Sequence, residues 1–192
     1  MTSSSRSKTI PASPEFGDSS AIQFKFDMGS CFPLPIHWSR SETMLFFLDA
    51  NAVNARQRDS ALNELERMAQ AGLIEVQYTE VTFAEASHGC GKRSEKAAEF
   101  EWAGVVEESG FPAQWREAIE KAVFPGGVQS TSQQNDVTAL VTAKLAGAFF
   151  VTTDGASKTQ PRGILGSRCD LSELGIDVLT PIEAVALAKA RT

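Results

Sequence analysis

The sequence predicts an α/β protein in which helices cover both faces of a central, mainly parallel sheet of four to five strands. Short apolar runs, typical of strands, alternate along the chain with segments whose apolar residues recur at helical spacing. Residues 44–48 form a continuously apolar run, as expected for a strand buried on both faces. A length of 192 residues suits one domain with some terminal extension. We therefore expect a three-layer α/β/α arrangement.

The strands and helices are predicted in a regular order from residue 44 onwards. Strands are expected at residues 44–48, 73–78, 148–152 and 176–179. Helices are expected at residues 60–71, 80–87, 94–108, 112–122 and 136–146, with a last helix from Pro181. Asp59 or Ser60 suits the N-cap of the first helix, Thr79 suits that of the second, and Thr180 precedes the last.

The N-terminal part of the chain differs in composition from the rest. Residues 1–20 are rich in Ser, Thr and Pro and are predicted to form a disordered tail. Residues 21–43 are expected to form an extension, with a short strand at residues 22–26 followed by a proline-containing loop. Residues 44–192 then form the main domain.

Charge and cysteine content restrict the functions that can be considered. The formal net charge of −6 does not attract nucleic acid at long range, so such binding must depend on local basic groups or metal ions. The three cysteines form no CxxC pair, which indicates neither a disulfide framework nor a zinc site. No signal peptide and no run of ~20 apolar residues is present, and a soluble, cytoplasmic protein without membrane contact is expected.

Four acidic residues are expected at the carboxyl ends of the strands, where parallel α/β sheets place their chemistry. Asp49 directly follows the first strand and Asp154 follows a later one, while Glu85 and Asp136 lie in helices that begin at the same rim. Two like charges about 4 Å apart repel by roughly 4 kcal/mol at an effective dielectric near 20. Such a cluster must take up protons or bind a cation, and oxygen ligands suit Mg²⁺ or Mn²⁺.

Two of the acids also have ordinary structural explanations. Asp49 could cap the next helix, and Asp136, in the predicted first turn of its helix, could be a favourable partner of the helix dipole. Glu85 is preferred over Glu80 as the site residue because its helix is predicted to be buried on most faces. His88, one turn beyond Glu85, is assigned a structural role.

Taken in order, these motifs resemble those of the PIN domain, over roughly residues 44–190. The resemblance rests on a strand ending Asp-x-Asn (Asp49, Asn51), a Thr six residues before a Glu (Thr79, Glu85), an Asp opening a small-residue helix (Asp136) and a strand ending Thr-x-Asp (Thr152, Asp154). The closing GIDVLTPIEAVALA is similar to the last strand and helix of that family. Two features depart from the pattern, a long stretch before Val123 and the residues Gly155-Ala156-Ser157 after the last Asp.

The resemblance implies a metal-dependent endoribonuclease acting on single-stranded RNA, in the setting of a toxin–antitoxin pair. Asp49, Glu85, Asp136 and Asp154 would bind one or two Mg²⁺ or Mn²⁺ ions and activate water. RNA, an antitoxin protein and a second copy of the chain are the candidate partners. Asn51 and Thr152 are candidates for orienting the ligands, and their alternatives are a surface turn residue and a buried strand residue. Basic residues that leave the same rim are candidate phosphate contacts or ordinary surface charges: Arg56, Arg58, Lys158 and Arg162.

Two other functions fit parts of the pattern. A haloacid-dehalogenase-like phosphatase also has a buried strand ending in Asp, but it needs a second acid two residues later, where this chain has Asn51. A non-catalytic PIN-fold scaffold or partner-binding module is the second alternative, and only an activity measurement separates it from a nuclease.

Overall fold

Five parallel strands form the centre of the protein, which is described by a computed structural model. The structure describes residues 43–88, 103–106, 112–156 and 162–191. The strands are β1 (Leu45–Leu48), β2 (Glu75–Thr79), β3 (Ala103–Val106), β4 (Phe149–Val151) and β5 (Val178–Leu179), in the order β3-β2-β1-β4-β5. Every neighbouring pair is parallel. The order reverses at β1, which has β2 on one side and β4 on the other.

Eight helices are found in the described part of the chain. They are α1 (Ala50–Ala55), α2 (Ser60–Gln70), α3 (Glu80–Ser87), α4 (Ala113–Val123), α5 (Thr131–Ala146), α6 (Gly163–Gly166), α7 (Arg168–Glu173) and α8 (Pro181–Arg191). None of them is long and apolar enough to cross a membrane.

Two hydrophobic cores lie on opposite faces of the sheet. Phe46 belongs to the core that includes residues of α1, α2 and α8, and Phe47 belongs to the core that includes residues of α4, α5 and α7. Both phenylalanines are completely buried. Because successive residues of a strand point to opposite faces, a strand between two cores must be apolar throughout. The predicted three-layer α/β/α fold is therefore confirmed.

Side-chain caps set the starts of the helices that carry the acidic residues. The Thr79 hydroxyl accepts a hydrogen bond from the Thr82 amide at the start of α3. The Ser130 hydroxyl accepts one from the Gln133 amide and begins α5. Both caps pair backbone N–H groups that a helix terminus otherwise leaves without partners. They thereby fix where Glu85 and Asp136 lie along their helices.

Three sequence-based predictions need correction. The helix expected at residues 94–108 is wrong at residues 103–106, which form β3. Their backbone pairs with β2, and this non-local contact overrides local preference. Helix α5 begins at Thr131, so Asp136 lies in its second turn and not its first. Helix α3 buries only one face, with Phe83 exposed. The predicted tail and extension at residues 1–42 lie outside the described residues.

Candidate functional site

A cleft of about 760 Å³ lies at the carboxyl ends of the strands. The four acidic residues predicted from the sequence all line it: Asp49, Glu85, Asp136 and Asp154. The other polar residues that line the cleft are one histidine and five uncharged residues: His88, Asn51, Asn54, Thr131, Ser132 and Asn135. The cleft therefore collects carboxylates from four separate elements at the point where the strand order reverses, which is where open parallel sheets bind ligands.

Asp49 is the most deeply buried of these acids. Its amide donates to the Val151 carbonyl and so extends the pairing of β1 with β4. Its Oδ2 accepts a hydrogen bond of 2.8 Å from the Thr152 hydroxyl. Burial raises the pKa of Asp49 to about 6, the Thr152 and Ala50 hydrogen bonds oppose this rise, and the charges of Asp154 and Glu85 add to it. The Asp49 side chain forms no capping hydrogen bond of ordinary geometry with the first turn of α1. The Ala50 amide nevertheless lies near enough to favour the charged form of Asp49.

The Thr152 hydroxyl connects Asp49 to Asp154. It donates to Asp49, and it accepts a hydrogen bond of 2.9 Å from the Asp154 amide. A hydroxyl has one hydrogen to donate and lone pairs to accept with, so both bonds can exist together. Thr152 is fully buried, which keeps this bridge away from water. The sequence placed Thr152 beside the acids, and the structure gives it contacts with two of them.

The position of Asp154 also depends on the start of α6. Its Oδ2 accepts a hydrogen bond of 3.2 Å from the Ile164 amide, and its carbonyl accepts one from Leu165. Gly163 has a φ of +60°, and a Cβ added there would lie 2.3 Å from the Gly155 carbonyl oxygen. Only glycine tolerates both this backbone conformation and this close approach. The strand-end loop is therefore packed against α6 at a fixed separation.

Glu85 and Asp136 face each other from α3 and α5. Glu85 Oε1 accepts a hydrogen bond of 2.8 Å from Asn135 Nδ2. Burial raises the pKa of Asp136 to about 8, and the charges of Asp49, Glu85 and Asp154 add to this rise. An acid with this pKa is largely protonated at neutral pH unless a cation offsets the surrounding negative charge.

The donor groups suit a hard divalent cation, but their present arrangement is open. Within the described ranges, no group of three or more Asp, Glu, His or Cys side chains is arranged so that it could hold a metal ion. Charge interactions reach further than metal–oxygen bonds of about 2.1 Å, so the acids influence one another's pKa without sharing a ligand position. Their side chains must turn toward a common point to bind an ion.

Asn54 supplies a second indication that the cleft receives a polar ligand. Its Oδ1 is buried and has no hydrogen-bond partner within the part of the chain that the structure describes. A buried acceptor without a donor is costly, by about 1–3 kcal/mol. Because Asn54 lines the cleft, a bound water or a substrate N–H or O–H group could satisfy it. The residues present therefore fit a hydrated cation or a polar substrate.

Arg56 does not lie where the sequence suggested. It was expected to contact a substrate phosphate, but its side chain is buried and forms two hydrogen bonds with the Glu66 carboxylate, at 2.8 and 3.1 Å. This bidentate geometry suits a guanidinium and a carboxylate. Arg56 therefore joins α2 to the chain just after α1 and does not line the cleft.

Glu66→Gln should destabilise the protein by about 2 kcal/mol, because it leaves the buried Arg56 charge with a weaker partner. Urea denaturation measures this loss. Glu64→Gln is the matched control, since Glu64 pairs with Arg67 and Lys189 at the surface, and a much smaller loss is expected. If the Glu66→Gln protein instead has normal stability but binds substrate less well, Arg56 would again be a candidate contact for the substrate phosphate.

Arg58 and Arg162 also lie outside the cleft lining. Arg58 is exposed and does not line it. Arg162 is exposed, donates to the Gly166 carbonyl and forms an ion pair of 2.9 Å with Asp170. Lys158 lies outside the described residues. Among the described residues, no Lys or Arg lines the cleft.

Several lining residues were missed because the start of α5 was predicted five residues too late. Ser132, Asn135 and Asp136 are three and four residues apart and share one face of α5. The signal was present in the sequence, since Ser130 and Gln133 have the spacing of a helix N-terminus. Recognising this cap would have placed Asn135 beside the predicted acids.

The fold is similar to that of proteins already solved. A chain in the crystal structure of VapBC2 from Rickettsia felis, bound to a DNA fragment from their promoter, superposes with a TM-score of 0.50 and 15% identity, covering 71% of this chain and 98% of that one. A chain of FitAB bound to an IR36 DNA fragment gives a TM-score of 0.47 and 15% identity, covering 71% and 94%. The sequence matches no protein-family model and no curated protein. At such low identity, the similarity to the VapBC2 chain shows a shared fold.

Proposed function

We propose that this protein is a metal-dependent nuclease that hydrolyses phosphodiester bonds, with single-stranded RNA as its substrate. The proposal rests on one observation above all, which is that carboxylates from four separate elements line a single cleft. Burial and mutual repulsion raise the pKa of two of them. Proteins bring like charges together in this way where function requires perturbed groups. Asp49, Glu85, Asp136 and Asp154 are the proposed ligands of Mg²⁺ or Mn²⁺.

The side chains around the acids have defined roles in this proposal. Bound Mg²⁺ or Mn²⁺ would supply a water of lowered pKa and would stabilise negative charge on the scissile phosphate. Thr152 holds one oxygen of Asp49 and the Asp154 amide, so the two acids from neighbouring strands keep a constant relative position. Asn51, which is exposed at the cleft, is proposed to contact substrate or to orient a carboxylate.

The lack of basic side chains among the described lining residues agrees with a metal-centred mode of substrate binding. The formal net charge is −6, and no basic side chain of the described residues lines the cleft. A phosphate can then be held by a cation and by neutral hydrogen-bonding groups, and a nucleobase can bond to Asn and Thr side chains. Single-stranded RNA exposes both its phosphates and its bases for such contacts.

Both alternatives explain less of the site. A phosphatase of the haloacid-dehalogenase type needs a second acid where Asn51 stands. Burying Asp49 and Asp136 weakens the fold, as their raised pKa values show. A scaffold or partner-binding module would have no use for acids in this costly position. The PIN-domain resemblance, together with the VapBC2 fold, supports the toxin of a toxin–antitoxin pair as the setting, with an antitoxin protein and a second copy of the chain as proposed partners.

The decisive experiment compares labelled single-stranded RNA and DNA of one sequence, each incubated with the protein and either Mn²⁺ or EDTA. Cleavage of RNA is expected with Mn²⁺ and not with EDTA. Asp49→Asn should reduce the rate by roughly a thousand-fold or more, because losing several kcal/mol of charge stabilisation has this effect. Glu117→Gln, which changes an exposed acid on α4, is the control and should cleave normally.

Two results would contradict the proposal. Full activity of a folded Asp49→Asn protein would remove this acid from the mechanism. Absence of cleavage by the unaltered protein, with Mn²⁺ bound and with varied RNA substrates, would favour the scaffold.

A further inference from the structure

We propose that Asn135 is a positioning residue that holds Glu85 in the orientation needed to bind the cation. This inference rests on the proposed function and deepens it, because it concerns how the site is assembled. Asn135 lines the cleft and lies next to Asp136 in the chain. It is the residue of α5 whose side chain bonds to the acid carried by α3.

The hydrogen bond joins one amide group to one carboxylate oxygen. Asn135 Nδ2 lies 2.8 Å from Glu85 Oε1. An ionised carboxylate only accepts hydrogen bonds, so the amide must present its NH₂ group and not its oxygen. Oε1 is thereby engaged, and a further ligand can bind through Oε2. A glutamate side chain has three torsions, and fixing them when a cation binds costs entropy. Because the bond to Asn135 fixes part of the Glu85 side chain beforehand, cation binding costs less.

A neutral donor is the appropriate partner for a carboxylate that binds metal. A lysine or arginine at this position would cancel the charge of Glu85 and would repel a divalent cation. An amide orients the carboxylate while leaving its charge available. The same logic applies to Thr152, which is neutral and contacts Asp49 and the Asp154 amide. Each side of the cleft thus has one uncharged residue bonded to an acid, Thr152 to Asp49 and Asn135 to Glu85.

The position of Asn135 also couples two ligands from different helices. Asp136 follows it directly on α5, while Glu85 lies 50 residues earlier in the chain. The bond therefore links α3 to α5 at the level of the cleft. Without it, only packing would hold the Glu85 side chain close to Asp136, and long polar side chains at such positions sample several rotamers.

The test is the affinity of the full chain for Mn²⁺, measured by electron paramagnetic resonance of the free ion. Asn135→Ala should weaken Mn²⁺ binding about ten-fold, which is typical when a residue that orients a metal ligand is removed. Alanine preserves helical structure, and circular dichroism with EDTA present checks that the fold is intact. Gln134→Ala is the matched control, because it removes an exposed amide from the adjacent position and should change affinity less than two-fold.

A second pair of variants separates this role from a general structural one. In a Glu85→Gln background, Asn135→Ala should change Mn²⁺ affinity less than two-fold, because the carboxylate through which Asn135 acts is gone. Equal affinity of Asn135→Ala and the unaltered protein would overturn the inference, as would a ten-fold loss that persists without Glu85. Failure of the unaltered protein to bind Mn²⁺ at all would instead contradict the proposed function.

Discussion

Asp136→Asn is expected to stabilise the protein in EDTA at pH 8 while abolishing RNA cleavage. Burial and three neighbouring acids raise the pKa of Asp136 to about 8, so its charged form is held in an unfavourable place. Asparagine has nearly the same shape and no charge, and it removes this penalty. A gain of about 2 kcal/mol is expected, which is less than the full shift would imply because Asp136 is partly exposed to water. Gains of this kind are common when a strained functional site is neutralised.

The effect of pH has a definite sign. An unfolded chain releases the Asp136 proton near pH 3.8, whereas the folded protein keeps it to about pH 8. Between these values folding takes up a proton, so the unfolding free energy decreases as pH rises, by up to ~1.4 kcal/mol per unit. The contribution is complete below pH 3.8 and is lost as pH rises through 8. Asp136→Asn should remove this part of the pH dependence and leave the smaller part due to Asp49, whose pKa is about 6.

Thermal melting in EDTA at pH 5 and pH 8 measures both effects. At pH 8 the variant should melt roughly 4–8 °C above the unaltered protein, and Mn²⁺ should raise the melting temperature of the unaltered protein much more than that of the variant. Glu117→Gln removes an exposed acid and should shift melting very little. Equal melting of Asp136→Asn and the unaltered protein at pH 8 would show that Asp136 carries no such penalty.

Gly163→Ala should be among the most damaging single-methyl changes in the described part of the chain. The new Cβ would lie 2.3 Å from the Gly155 carbonyl oxygen, and the backbone φ of +60° is unfavourable for alanine. Strain of this kind costs about 1–2 kcal/mol and the overlap a further 1–3 kcal/mol, so a total of about 2–5 kcal/mol is expected. The loop that carries Asp154 must move away from α6, which breaks its bond to the Ile164 amide.

The matched control for this change is Gly72→Ala. Gly72 has a φ of +70°, but nothing lies within 4 Å of its added Cβ, so only conformational strain is expected. Gly163→Ala should lower the melting temperature by roughly 5–15 °C and slow cleavage by the folded protein at least ten-fold, since small displacements of catalytic groups are costly. Gly72→Ala should lose less stability and retain its cleavage rate. Similar losses for both variants would mean that the contact with Gly155 is relieved without harm.

Much of the fold could be predicted because its central strands are buried on both faces. Phe46 and Phe47 enter different cores, and this requirement produces the continuous apolar run in the sequence. The acidic positions followed from a topological rule, since parallel strands end at one rim and Asp49 and Asp154 come just after two of them. Both the apolar strand and the acids that follow the strands can therefore be recognised from local sequence.

The features that the sequence did not reveal depend on contacts between distant residues. Strand β3 forms by pairing with β2, and a short segment containing Gly104 has no strong preference of its own. Arg56 has the sequence context of a surface residue, but Glu66 on α2 draws it inward. The bond from Asn135 to Glu85 spans 50 residues and was hidden by the misplaced start of α5. None of these pairings leaves a periodic pattern in the sequence.

The strand order has a consequence for how the protein acquires activity during synthesis. Strand β1 pairs with β2 about 30 residues later, but its other neighbour, β4, follows about 100 residues later, as Phe46 faces Phe149. A nascent chain that stops before β4 has one open edge on its central strand and lacks the Thr152 hydroxyl that holds Asp49. Under the proposed function, a nascent chain that stops before β4 is therefore inert toward the RNA around it.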